Sequence, residues 1–200
     1  MLKNDIWIIE QANKGMITPF EEKSVRKAAL GTNQEVSTIS WGLSSYGYDI
    51  RLSAQDFRIF KHIPGTIVDP KNFNPQNLEQ AELHTNEDGS SHFIIPANSY
   101  GLGASLESIK MPPNVTAICL GKSTYARVGV IANVTPLEAS WQGASITLEF
   151  SNSSSADVKI YANEGVVQLL FFEGELCQTT YADRGGKYQN QGRGVTLPKV

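Results

Sequence analysis

Glu149 stands in Ser145-Ile146-Thr147-Leu148-Glu149-Phe150-Ser151. Strand alternation there puts Ile146, Leu148 and Phe150 on one face and Thr147, Glu149 and Ser151 on the other. A carboxylate on such a face is either simply solvated or a proton carrier, because it is ionised near neutral pH and can take a proton. Upstream, Lys122-Ser123-Thr124-Tyr125-Ala126-Arg127 sets two cations and two hydroxyls between apolar runs that end near Leu120 and begin near Val128. Folded as one helical turn, it puts Ser123 and Arg127 on a shared face, with free amides at its start that suit an anion. The alternative is a surface connection whose Lys and Arg are solvated. Gln168 is an amide inside the apolar run Val166 to Phe172. A buried amide needs partners, so it either bonds backbone in a bulge or faces a ligand.

Other chemistries fail on spacing. The three histidines, His62, His84 and His92, do not form the H-x-E element of the zinc deaminases, and Cys119 and Cys177 do not form the C-x-x-C element. Zinc is therefore not expected. Gly121-Lys122-Ser123-Thr124 imitates the end of a phosphate-binding P-loop, but Thr116 stands where that motif requires its first glycine. Gly121-x-Ser123-x-Tyr125 fails the hydrolase elbow at Tyr125.

The elements that must position these residues are mostly strands. Asn4 to Asn13 reads as a helix through Ile6, Ile9 and Ala12, stopped by Gly15, and Lys23 to Leu30 as a second short helix before Gly31. Short β-type runs follow: Tyr48–Leu52, Phe57–Lys61, Ser91–Ile95, Tyr100–Leu106, Val115–Leu120, Val128–Val134, Ser145–Ser151, Val158–Tyr161, Val166–Phe172 and Gln178–Tyr181. Turn-forming residues punctuate them, which points to an all-β sandwich, jelly roll or barrel. The polar segment Pro70 to Ser91 reads as a long loop or insertion. Arg184 to Val200, rich in glycine, reads as a frayed tail or as a flap that orders on a ligand. Trp7, Trp41 and Trp141 read as packing residues.

Two hundred residues suffice for one domain with a real core. A net charge of −3 argues against a nucleic-acid partner, though it leaves room for a local anion pocket. No apolar run approaches a membrane span, and Met1 to Asp5 lacks a signal-peptide core. With two cysteines, both expected as reduced core thiols, the chain reads as cytoplasmic.

Four segments, in this order, resemble the dCTP deaminase family, which shares its fold with the trimeric dUTPases. They are Ser45-Tyr46-Gly47-Tyr48-Asp49-Ile50-Arg51-Leu52, then Gly121 to Arg127, then Thr147-Leu148-Glu149-Phe150-Ser151-Asn152, then Tyr181 to Gln189. The resemblance implies a mainly β, dUTPase-like distorted barrel or jelly roll over residues 1–200, with short N-terminal helices and a flexible C-terminal flap from about 184 to 200. It implies zinc-independent deamination of dCTP to dUTP and ammonia, which supplies dUTP as a precursor for dUMP and dTTP. Glu149, Ser123 and Arg127 would be catalytic. Lys122, Ser123, Thr124, Tyr125, Ala126 and Arg127 would hold the triphosphate and the catalytic water, and Thr147 and Leu148 would line the base pocket. Gln168, Tyr181, Lys187 and Gln191 fall where the family contacts nucleotide. Mg²⁺ would arrive with the triphosphate, dTTP is a candidate inhibitor, and a homotrimer with sites at subunit contacts is expected.

In this reading Glu149 accepts a proton from water, delivers it to ring N3, and serves the departing ammonia by a second transfer. Ser123 would fix the water and Arg127 orient the carboxylate. Two alternatives stand beside it: a bifunctional enzyme that also releases dUMP, and a non-catalytic β-sandwich binding module. Where many relatives carry an Asp beneath the sugar, this chain has Glu138.

Overall fold

The computed structural model describes residues 1–29 and 35–200. Helix α1 spans Asp5–Ala12, begun by Asn4, whose side chain accepts from the Trp7 amide, and followed by Gly15 at φ +90°. It buries Ile8 and Ala12, while Ile6 faces solvent, so the apolar stripe is rotated from the one the spacing predicts.

Everything else is strand and turn. In chain order the strands are β1 (Ile17–Thr18), β2 (Val25–Ala28), β3 (Val36–Ser44), β4 (Gly47–Phe60), β5 (Leu78–Gln80), β6 (His84–Thr85), β7 (Ser91–Ile95) and β8 (Tyr100–Ser105). They continue as β9 (Ser108–Lys110), β10 (Val115–Gly121), β11 (Val130–Asn133), β12 (Gln142–Gly143), β13 (Thr147–Asn152), β14 (Val158–Ala162) and β15 (Gly165–Glu173). A four-residue helical turn, α2 (Ser123–Ala126), joins β10 to β11. The main sheet runs β10-β15-β4-β8-β13-β11, with β3 and β5 also on β4 and β2 on β3. Two three-stranded sheets, β1-β9-β12 and β14-β7-β6, flank it. The mainly β fold expected from the turn-punctuated runs is the fold observed. Among the described residues, no helix is long and apolar enough to cross a membrane.

Three expectations are corrected. The helix read over Lys23 to Leu30 is strand β2 at Val25–Ala28, paired with β3 from Val25↔Trp41 to Ala28↔Val36; Leu30 and Gly31 lie outside the described residues. Val25 and Ala28 have helical spacing, but pairing with a neighbour overrides so short a local pattern. Gln178–Tyr181 is no strand, because Thr180 and Asp183 close a turn on themselves through their side chains. Cys177 is exposed; only Cys119 is a core thiol, and both are free. Two runs, Tyr48–Leu52 and Phe57–Lys61, merge into β4, whose pairing with β8 slips between Leu52 and Phe57. The polar segment after Pro70 also holds β5 and β6.

The core lies where β4, β7, β8 and β13 meet. Phe57 is fully buried and stacks on Phe93 at 4.9 Å, with Phe150 at 5.6 Å. Gly101 and Gly103 of β8 make room for it, since a Cβ on either would come within 2.8 or 3.0 Å of the Phe57 ring. Phe57→Ala should therefore cost about 3–5 kcal/mol of stability. Urea unfolding measures this, and a loss below ~1 kcal/mol would contradict the packing account.

Candidate active site

A cleft of about 570 Å³ opens beside β13. Leu102, Ile146, Val134 and Trp141 give it apolar walls, while Thr147, Glu149 and Tyr100 bring polar groups into it. Alternation on β13 places Glu149 there, while Leu148 and Phe150 are fully buried on the opposite face. Glu149 Oε2 accepts from Asn133 Nδ2 at 2.9 Å, directly across the β11–β13 ladder. Burial, with the Glu149 charge as a second cause, pushes the Tyr100 hydroxyl up to about 12 and does the same to the Cys119 thiol. The cleft thus holds an acid within a mostly apolar lining, the usual make-up of a small-molecule site.

The tail forms the opposite wall. Tyr188, Gln191, Thr196 and Pro198 line the cleft. Trp141 Nε1 donates to the Tyr188 carbonyl at 2.9 Å, and the Thr196 amide donates to Thr147 Oγ1 at 3.0 Å. Asp56 accepts the Val195 amide at 2.8 Å, next to Gly194, where φ is +95° and a Cβ would meet Asp56 Oδ2 at 2.7 Å. The segment read as frayed tail or flap lies against the body. Among the described residues, Gln191 Oε1 is buried with no hydrogen-bond partner, a costly state for a carbonyl oxygen.

The other half of the expected constellation sits elsewhere. Ser123 and Arg127 do not line this cleft. Arg127 Nη1 turns back to the Ser123 carbonyl at 2.8 Å. The turn feeds β11 at Val130, whereas Glu149 pairs with Asn133 at that strand's far end, roughly 10 Å away along the chain. Within one chain, then, Glu149 meets Thr147, Tyr181 and Gln191 but not Ser123 and Arg127.

Residues 3–174 match the family model described as dCTP deaminase-like. The chain belongs to the dCTP deaminase-like family. It is 48% identical over 200 residues to the dCTP deaminase of Acidobacterium capsulatum, covering all of this chain and 99% of that one. It is 51% identical over 202 residues to that of Nautilia profundicola, covering 100% and 98%. Its fold is like that of the 2′-deoxycytidine 5′-triphosphate deaminase from Agrobacterium tumefaciens, with a TM-score of 0.52 at 15% identity over 89% of this chain. This chain spans about half of that structure's length, 49%.

In this dCTP deaminase-like chain several residues named from the motifs lie outside the lining of the cleft. Leu148 points into the core, so only its backbone can face a base. Tyr125 is buried, and its hydroxyl accepts from the Tyr161 amide, which makes it the anchor of α2. Gln168 takes neither a bulge carbonyl nor a place in the cleft; it donates to Ser44 and Asp49. Lys122 is ion-paired with Asp49, and Lys187 is exposed. The motifs missed Asn133, Tyr100 and Tyr188. Only Asn133 had a readable signal, as the polar end of an apolar strand. Among the described residues, no three or more His, Cys, Asp or Glu side chains are grouped to hold a metal ion.

Proposed function

We propose that this chain deaminates dCTP to dUTP and ammonia, without zinc, in the cytoplasm, as a homotrimer whose sites lie between copies. The observation that carries the reading is Glu149, held by Asn133 at one oxygen in an apolar cleft of nucleoside size. Among the described residues its Oε1 accepts no hydrogen bond, which leaves that oxygen to accept a proton from water. The protonated acid then donates to ring N3. The hydroxide so formed bonds to C4, and the carboxylate then takes the proton of that new C4 hydroxyl and passes it to the amino group, so that the C4–N bond breaks, ammonia leaves and the C4 carbonyl forms. Gln191 Oε1, unpartnered at the cleft wall, suits the donor edge of an aminopyrimidine. The triphosphate would enter as its Mg²⁺ complex, and dTTP, alike except at the base, is the natural competitor for the same cleft.

Sharing between copies answers the separation of Ser123 and Arg127 from Glu149. Ile118, Leu120, Val128 and Ile131, on the strands and turn around α2, are 42%, 49%, 51% and 61% exposed. A neighbour packed on these side chains would bury them and bring the α2 turn to its own Glu149 cleft. Ser123 would then fix the water, and Arg127 would face the carboxylate and phosphates.

A second activity, hydrolysis to dUMP, would need an acid to position water at the phosphate. Glu138 lines the cleft, but its carboxylate is held by Arg184 of the tail. Its extra methylene over Asp also shifts it by about 1.5 Å, one C–C bond, and a misplacement of about 1 Å can cost a hundredfold. Incubation with dCTP and Mg²⁺ should therefore give ammonia and dUTP in equal amounts and no pyrophosphate. Stoichiometric pyrophosphate would establish the bifunctional reading instead, and no ammonia would overturn deamination itself.

A further inference from the structure

We propose that Asp49 is a positioning residue that aims the Lys122 ammonium, and with it the start of the α2 turn, at the triphosphate. The proposal rests on the reading of that turn as the phosphate-binding element. Three neighbouring elements converge on Asp49. Gln168 on β15 is its direct partner in the ladder, Gly42 on β3 faces it from the other side, and Lys122 follows the last residue of β10. Asp49 is 5% exposed, yet both its oxygens are satisfied: Oδ2 by Lys122 Nζ at 2.5 Å and Oδ1 by Gln168 Nε2 at 3.0 Å. Gln168 is fixed in turn by Ser44 at 3.2 Å. The aliphatic stem of Lys122 passes over Gly165, where a Cβ would lie 3.4 Å from its Cδ.

An ammonium has three donors and no acceptor. Asp49 takes one, and Ser40 Oγ at 3.2 Å takes another. The third is left for an anion, on a long side chain that otherwise has many rotamers to lose. Lys122 is also the residue before α2, and its carbonyl accepts the Ala126 amide at 3.0 Å. Fixing its side chain at one end and its carbonyl at the other sets the direction of the turn's free amides. Asp49 therefore contributes orientation in advance of binding, and two residues read as nucleotide contacts, Lys122 and Gln168, are linked through one carboxylate that touches no phosphate itself.

The test is a double-mutant cycle on the full chain, read by calorimetric binding of inorganic tripolyphosphate, with a thermal melt of each variant. Asp49→Asn and Lys122→Met should each weaken binding by about tenfold, the scale of a charged hydrogen bond. The double variant should be no weaker than Lys122→Met alone, since Asp49 acts through the lysine. Effects that multiply would overturn the proposal. So would tighter binding by Asp49→Asn, which would mean that the carboxylate restrains the lysine. Should Asp49→Asn fail to fold, the comparison of Lys122→Met with the double variant, in which both charges are removed together, decides alone. Wild-type protein that ignores tripolyphosphate would overturn the phosphate reading of the turn, and this role with it.

Discussion

Glutamine at position 149 should lower kcat for dCTP deamination by about a thousandfold or more, within the range that a positioned acid–base group supplies. Glu149→Gln keeps the shape and the oxygen that accepts from Asn133 at 2.9 Å, but an amide cannot take a proton from water. Binding should stay within about tenfold, roughly 1.4 kcal/mol, because the cleft walls are untouched. Ammonia release under single-turnover conditions gives the first quantity and calorimetry with dCTP the second. A kcat within tenfold of wild type would remove Glu149 from the proton path. Loss of binding without loss of kcat would make it a binding residue only.

Arg127→Ala should also be inactive, and mixing it with Glu149→Gln should restore activity. Ser123 and Arg127 lie on α2, outside the cleft of their own chain. If a neighbour supplies them, each working site needs an intact Glu149 from one copy and an intact Arg127 from the next. Random trimers from equal amounts of the two variants contain that pairing at about one site in four. Subunit exchange by mild denaturation and refolding should thus recover about a quarter of wild-type activity from two inactive proteins. Mixed oligomers that form but stay inactive would contradict a shared site, as would full activity in a monomer of the wild type.

Much of this was legible because β-structure writes itself locally. Alternation placed Glu149 on the polar face of β13 and drove Phe150 inward, and both follow from a period of two. The anchor Asn4 and the stop Gly15 bracket α1 as read. What could not be read is what depends on distant partners. The Asp49–Lys122 ion pair joins residues 73 apart, and nothing near Lys122 distinguishes a paired ammonium from a solvated one. Leu148 and Tyr125 were assigned by the motif that contains them, whereas the direction of each side chain is set by its strand or turn. The strand at Val25–Ala28 was hidden because its partner, β3, begins only at Val36. The tail has the composition of a solvated terminus, and its bonds to Thr147, Trp141 and Asp56 use mainly backbone groups, which any sequence possesses.

The bond from Trp141 Nε1 to the Tyr188 carbonyl gives the protein a fluorescent reporter of its own. The indole is 4% exposed on the cleft wall, and its ring packs so closely over Gly143 that a Cβ there would lie 2.8 Å from it. Trp7 lies beside Phe171, and Trp41 lies under Arg51. With those two changed to Phe, the emission maximum would come from a single indole whose N–H is capped by the tail. A shift to longer wavelength would mark that cap giving way to water, and quenching by a bound base would mark the cleft filling. Occupancy and tail position could then be followed in one cuvette, without a label and without turnover.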